Sequence, residues 1–92
     1  MDILALDYTF NDSLLIRKRD ETTLAYNPDN SDTYEMNDVA GEIIFLLKEE
    51  KSIREIVAFL AEEYGEEEAV ILADITDLIL RFIDLGIIRV KN

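Results

Sequence analysis

The hydrophobic period changes at Asn37, and that change constrains the fold more than any other feature of the chain. Before it, residues 33–36 alternate, with Thr33 and Glu35 polar and Tyr34 and Met36 apolar. After it, apolar residues fall at Val39, Ile43, Leu46 and Leu47. A period of two belongs to a strand, and steps of four, three and one belong to one face of a helix. Asn37 is a good helix N-cap, because its side-chain oxygen can accept a backbone N–H of the first turn. A short strand therefore runs directly into a helix. The chain divides at this point: residues 1–37 read as strands and turns, residues 38–86 as helices.

Two further strands are predicted upstream. Ser13–Arg19 places Leu14 and Ile16 on one face, and in Thr22–Tyr26 it is Leu24 and Tyr26 that alternate. Residues 27–32, between that strand and Thr33–Met36, carry turn chemistry. Pro28 suits the second position of a type I turn, followed by Asp29, Asn30 and Ser31. The second and third strands thus form a hairpin, and the first pairs with the second. The expectation is a three-stranded antiparallel sheet over about residues 13–37.

Three helices follow. The first covers about 38–49 and ends at the polar break Lys48-Glu49-Glu50-Lys51. Ser52-Ile53-Arg54-Glu55 fits a capping box, with Ser52 accepting from the Glu55 N–H and the Glu55 side chain reaching back. The second helix, 52–64, is expected to bury Ile53, Ile56, Val57, Leu60 and Tyr64, and to stop at Gly65. The third, 66–85, opens on Glu66, Glu67 and Glu68, acids that suit the positive end of a helix dipole. Gly86 ends it. The tail Ile87–Val90 is too short to stand alone, and either adds a strand or packs on the core. No residue of 1–12 receives a role.

Ninety-two residues make one domain, and a 49% hydrophobic composition is enough to build a core. No run of about 18 apolar residues is present, so no membrane span is expected. The N-terminal stretch has no base before Arg17 and does not read as a signal peptide. The expected location is the cytoplasm. Twenty-one acids against nine bases give a net charge of −12. Such a surface repels nucleic acid and favours a basic partner through encounter rate, in a salt-dependent way. Acidity that only aids solubility is the plainer alternative.

The third helix has more apolar surface than one core layer needs. At about 100° per residue, Asp74, Asp77, Arg81 and Asp84 share a polar strip roughly 80° wide. Nearly every other position from Val70 to Leu85 is apolar. The surplus is covered either by the other helices, the sheet and the tail, or by another chain lying in a groove beside the helix.

Catalytic chemistry finds few materials. The chain has no histidine and no cysteine, which removes imidazole acid–base work, thiolate nucleophiles and His or Cys metal ligation. None of Ser13, Ser31 and Ser52 sits in a nucleophile elbow, and the three glycines form no phosphate loop. Asn27, Asp29, Ser31 and Asp38 imitate a calcium-loop spacing, but Asp32 stands where that loop needs glycine and no helix precedes it. Asp12-Ser13-Leu14 matches the modified tripeptide of acyl carrier proteins, which are similarly small and acidic. The long helix that should precede that serine is missing from the pattern. No cofactor and no metal are expected, and a binding protein rather than an enzyme is.

Residues 33–88 resemble the PqqD-like family (coenzyme PQQ synthesis protein D-like), the recognition elements of ribosomally made, post-translationally modified peptide pathways. Met36-Asn37 stands at the family's Leu-Asn position. Ile43, Leu46 and Leu47 supply the first helix, while Ser52–Ile56 and Glu63-Tyr64-Gly65 frame the second. Asp74-Ile75, Leu78-Ile79, Phe82 and Gly86-Ile87 match the last helix in spacing as well as type. Two departures are Lys-Glu-Glu-Lys at the turn after the first helix, where Asp-Gly is frequent, and Met36 for leucine.

The resemblance implies an α+β, winged helix-turn-helix-like fold. It also implies a non-catalytic peptide carrier. Such a domain binds the leader segment of a precursor peptide and delivers it to a modifying enzyme, often a radical S-adenosylmethionine enzyme. The leader adds as a strand beside the third strand, in a cleft lined by the third helix. By that resemblance the peptide-binding residues are Thr33, Tyr34, Glu35, Met36, Asn37, Asp74, Asp77, Leu78, Arg81, Phe82 and Leu85. An open edge strand independently offers unpaired N–H and C=O groups to an incoming peptide, and equally to a second copy of the chain. Two alternatives stand beside this one. An acidic interaction module or regulatory subunit would serve another system. A winged-helix DNA-binding regulator would need a basic recognition surface, yet the second helix has Arg54 as its lone base.

Overall fold

A computed structural model describes residues 2–91. After a single 3-10 turn at Ile3–Ala5 come strands β1 (Tyr8–Phe10), β2 (Leu15–Arg19), β3 (Thr22–Asn27) and β4 (Asp32–Met36). Helices α1 (Asp38–Lys48), α2 (Ile53–Tyr64) and α3 (Glu68–Asp84) follow, and β5 (Ile88–Val90) closes the chain. β2, β3 and β4 form an antiparallel sheet in sequence order. The architecture is α+β, a three-stranded antiparallel sheet followed by three helices. No helix among the described residues is long and apolar enough to cross a membrane.

The local signals act where the sequence places them. Asn37 caps α1, its side chain accepting the Ala40 N–H at 2.9 Å. Ser52 and Glu55 form the reciprocal capping box of α2, at 3.0 and 2.9 Å. α2 ends on Gly65 in the left-handed region at φ +64°. The start of α3 differs from expectation. The Glu66 N–H still bonds the Ala61 carbonyl at 3.0 Å, closing α2. Glu66 is therefore committed to the preceding helix, and α3 begins at Glu68 with Glu67 in the cap position.

The core face of β3 also differs. Thr23, Ala25 and Asn27 point inward and are buried, whereas Leu24 and Tyr26 lie on the opposite face, with Tyr26 exposed. The reason is the approach of α1. A Cβ on Gly41 would sit 2.2 Å from the Thr23 hydroxyl oxygen and 2.8 Å from its Cβ. The helix lies so close that small side chains are needed on both sides. Bulky Leu24 and Tyr26 face away from it, beside Leu15 of β2.

A second, two-stranded sheet pairs β1 with β5, Tyr8 opposite Val90 and Phe10 opposite Ile88. Sequence reasoning left the tail's partner open, and the partner is the N-terminal segment to which it gave no role. Ile3, Tyr8, Phe10 and Leu14 are all buried and complete the core around Ile43, Leu47, Ile56, Leu60, Ile79 and Phe82. The Tyr8 hydroxyl reaches across to donate to the carbonyls of Leu47, at 3.3 Å, and Lys51. Burial, then Glu50 and Glu55, push its pKa up to about 12, so it is a permanent donor at physiological pH.

Two substitutions test these contacts. Gly41→Ala should cost about 1–3 kcal/mol in urea unfolding, because Thr23 is buried and has nowhere to move. Tyr8→Phe should cost about 1–2 kcal/mol by the same measurement, because it removes the hydroxyl that bonds the Leu47 and Lys51 carbonyls.

Candidate functional site

β4 is an edge strand. β3 occupies one side of it, and on the other no strand among the described residues pairs with its backbone groups. Thr33 and Glu35 are exposed, Tyr34 is half-buried and Met36 is buried, which is the alternation read from the sequence. Because α1 starts two residues after Met36, the strand is held at one end by the Asn37 cap. At its other end the 27–32 turn is fixed by two Asx contacts. The Asn27 side chain accepts the Asp29 N–H at 3.0 Å, and that of Asn30 accepts the Asp32 N–H at 2.9 Å.

Facing this edge is one flank of α3. The helix buries Ile71, Ile75, Ile79 and Phe82, a stripe far narrower than its apolar arc. Leu72, Leu78, Ile83 and Leu85 are only half-buried, while Val70 and Leu80 are exposed. The surplus is thus only partly covered within the chain. Between the edge and the helix runs a groove of about 510 Å³. Buried Met36, Ala40 and Phe82 form its floor, with Leu78, Arg81 and Leu85 on the helix side and residues 33–37 on the strand side.

Nine of the eleven residues expected at a peptide site, Thr33 to Asn37 with Leu78, Arg81, Phe82 and Leu85, meet in this groove. Asp74 and Asp77 do not line it. They are exposed on the same side of α3, one to two turns toward its N-terminus. The charged side chains within the groove are Glu35 and Arg81, one of each sign. Ala40 is a member the sequence reading missed. Its signal was available, because a residue three after an N-cap sits on the first turn next to the strand end.

A second, larger concavity of about 870 Å³ lies on the other side of α1, against α2 and β2. Phe45, Leu46, Phe59 and Tyr64 supply its apolar lining, and Asp38, Glu42, Glu62, Glu63 and Lys18 its charges. Here another expectation fails: Tyr64 is not core but 47% exposed. It sits in the last turn of α2, beyond the stripe of Ile53, Ile56, Val57, Leu60 and Ala61 that meets the core. Glu42 is held up to about pKa 7, first by burial and then by the neighbouring Glu63 carboxylate and the Asp38 charge, with Lys18 opposing.

The family described as "Coenzyme PQQ synthesis protein D (PqqD)" matches residues 23–88. A solved structure of "TbiB1 in Complex with the TbiA(beta) Leader Peptide" superposes with a TM-score of 0.81. It is 18% identical, over 88% of this chain and 94% of that one, so the likeness is one of fold. No curated protein sequence matches the chain significantly.

The Glu42 shift has a consequence for stability. Between its ordinary value of 4.5 and about 7, the folded protein binds this proton more tightly than the unfolded chain does. Unfolding free energy therefore falls as pH rises through that window. The melting temperature should drop between about pH 5 and pH 8, and Glu42→Gln should flatten that drop in calorimetric scans.

Proposed function

The chain belongs to the PqqD family, and on that premise we propose that it is a non-catalytic carrier for a precursor peptide. It binds the leader segment by strand addition to β4 and delivers the attached core to a modifying enzyme, a radical S-adenosylmethionine enzyme being the leading candidate. The observation that carries this reading is the open β4 edge set against the uncovered flank of α3. Backbone pairing along the edge supplies affinity that depends little on sequence. Alternate leader side chains then enter the apolar groove over Met36, Ala40 and Phe82 and supply selectivity. That TbiB1, of the same fold, was solved with a leader peptide supports the assignment.

Charge refines the choice of leader. The net charge of −12 draws a basic peptide in and disfavours duplex DNA, the other use of this topology. The exposed acids Asp74 and Asp77 lie beyond the groove and meet basic leader residues flanking the paired segment. Arg81 lines the groove itself, so a carboxylate or backbone carbonyl of the leader is the better neighbour there.

Titration of the cognate leader followed by NMR tests the site. Amide shifts should concentrate at residues 33–37 and 74–85, and shifts confined to other surfaces would remove the groove from the account. Leu78→Asp should weaken binding about tenfold or more while leaving a folded spectrum, since Leu78 is only half-buried. Asp77→Lys should weaken a basic leader a few-fold at low salt, with the difference fading as salt is added.

A further inference from the structure

The concavity between α1 and α2 is larger than the leader groove and shares no lining residue with it. The groove reading leaves it without a role. Four carboxylates, of Asp38, Glu42, Glu62 and Glu63, face it against the single ammonium of Lys18. Two aromatic side chains stand open beside them, Phe59 at 49% and Tyr64 at 47% exposure. A solvated charged face has no need of a half-exposed phenylalanine, and an apolar core has no need of four acids. The combination belongs to a surface that receives something both apolar and cationic.

Glu42 sharpens this. One of its carboxylate oxygens is shut off from solvent and has no hydrogen-bond partner among the described residues. A buried oxygen left without a donor is costly and rare. Glu42 itself lines the cavity, so a donor entering there meets a carboxylate whose hydrogen-bonding capacity is not used up. Glu63 is the neighbouring carboxylate whose charge helps to hold the Glu42 pKa up, and it lines the same space. The negative field there is also felt by Tyr64, whose phenol is pushed up first by burial and then by Glu42, Glu63 and Asp38.

We propose that this cleft is a second docking site, which takes an arginine of a partner protein between Glu42 and Glu63 with an adjacent apolar side chain on Phe59 and Tyr64. Arginine fits better than lysine. Its planar fork can bond two carboxylates at once, and its face stacks on an aromatic ring. The guest cation takes the place of the proton that Glu42 otherwise holds near neutrality, and that proton passes to solvent. Binding therefore strengthens as pH rises through that range. The site stands apart from the leader reading, because none of its residues touches the groove. If that reading is also right, a bound leader and a bound partner occupy opposite sides of α1.

The test uses the whole chain and a defined probe, acetyl-phenylalanyl-arginine amide, with the neutral citrulline analogue as control. In an NMR titration the arginine probe should give saturable shifts at Phe59, Glu63 and Tyr64, and the citrulline probe should bind about tenfold more weakly or worse. Glu63→Gln and Phe59→Ser, both at exposed positions, should each weaken the arginine probe while preserving the folded spectrum. Affinity should be higher near about pH 8 than near about pH 6. Equal binding of the two probes, or shifts spread evenly over the acidic surface, would overturn the proposal. Because no leader is present, neither result bears on the β4 groove.

Discussion

The close seat of α1 on the sheet is the contact on which the remaining geometry depends. Gly41 lies against buried Thr23, at a distance where a methyl group would not fit. That contact sets the height of α1 above β3. It also places β4, because Met36 is one residue from the Asn37 cap and the strand cannot move without the helix. Ile43, Ile44 and Leu47, all fully buried, tie the same helix into the common core. Once α1 is fixed, one of its flanks faces the groove beside β4 and the other faces the acidic cleft.

A sheet of three strands needs cover, and here the helices cover one face only. The opposite face keeps Leu15 and Tyr26 in solvent. Bulk faces outward on β3 because small residues are required inward. This is a case of packing overriding the simple rule that the larger apolar residues of a strand point to the core. β2 carries Arg17, Lys18 and Arg19, charges that discourage further pairing along that edge. β4 bears only Asp32 and Glu35, with no base along its length. The two edges of the sheet are thus chemically unlike, and β4 is the one beside an apolar groove.

The N-terminal segment shows how far a local reading extends. Nothing in the spacing of residues 1–12 identifies a partner. β1 and β5 are separated by almost the whole chain, and each has only three residues. Strands this short carry no periodicity of their own, and their pairing is a matter of where the ends of the domain meet. The Tyr8 hydroxyl at the end of α1 and the Asn11 side chain on the Gly86 carbonyl, at 3.1 Å, are likewise long-range contacts. Tyr64 follows the same logic in reverse. It holds a helical core position by spacing, yet it lies a turn past the last residue that meets the core.

What the sequence determined by itself were the elements whose causes are local. The three strands of the main sheet, the 27–32 turn, the Asn37 and Ser52 caps and the Gly65 stop all depend on residues within a few positions of one another. The groove's membership was legible for a related reason. Residues 33–37 lie on one strand end, and Leu78, Arg81, Phe82 and Leu85 on one helical stripe, so each half is written as a short pattern. Tertiary structure decided the quantities that no local pattern contains. These are which face of β3 turns inward, how much of the α3 arc stays uncovered, and where the tail finds its partner strand. It also brought Glu42 of one helix against Glu63 of another. Each is fixed by the distance between elements far apart in the chain, and that distance is set by side-chain volume at the contact.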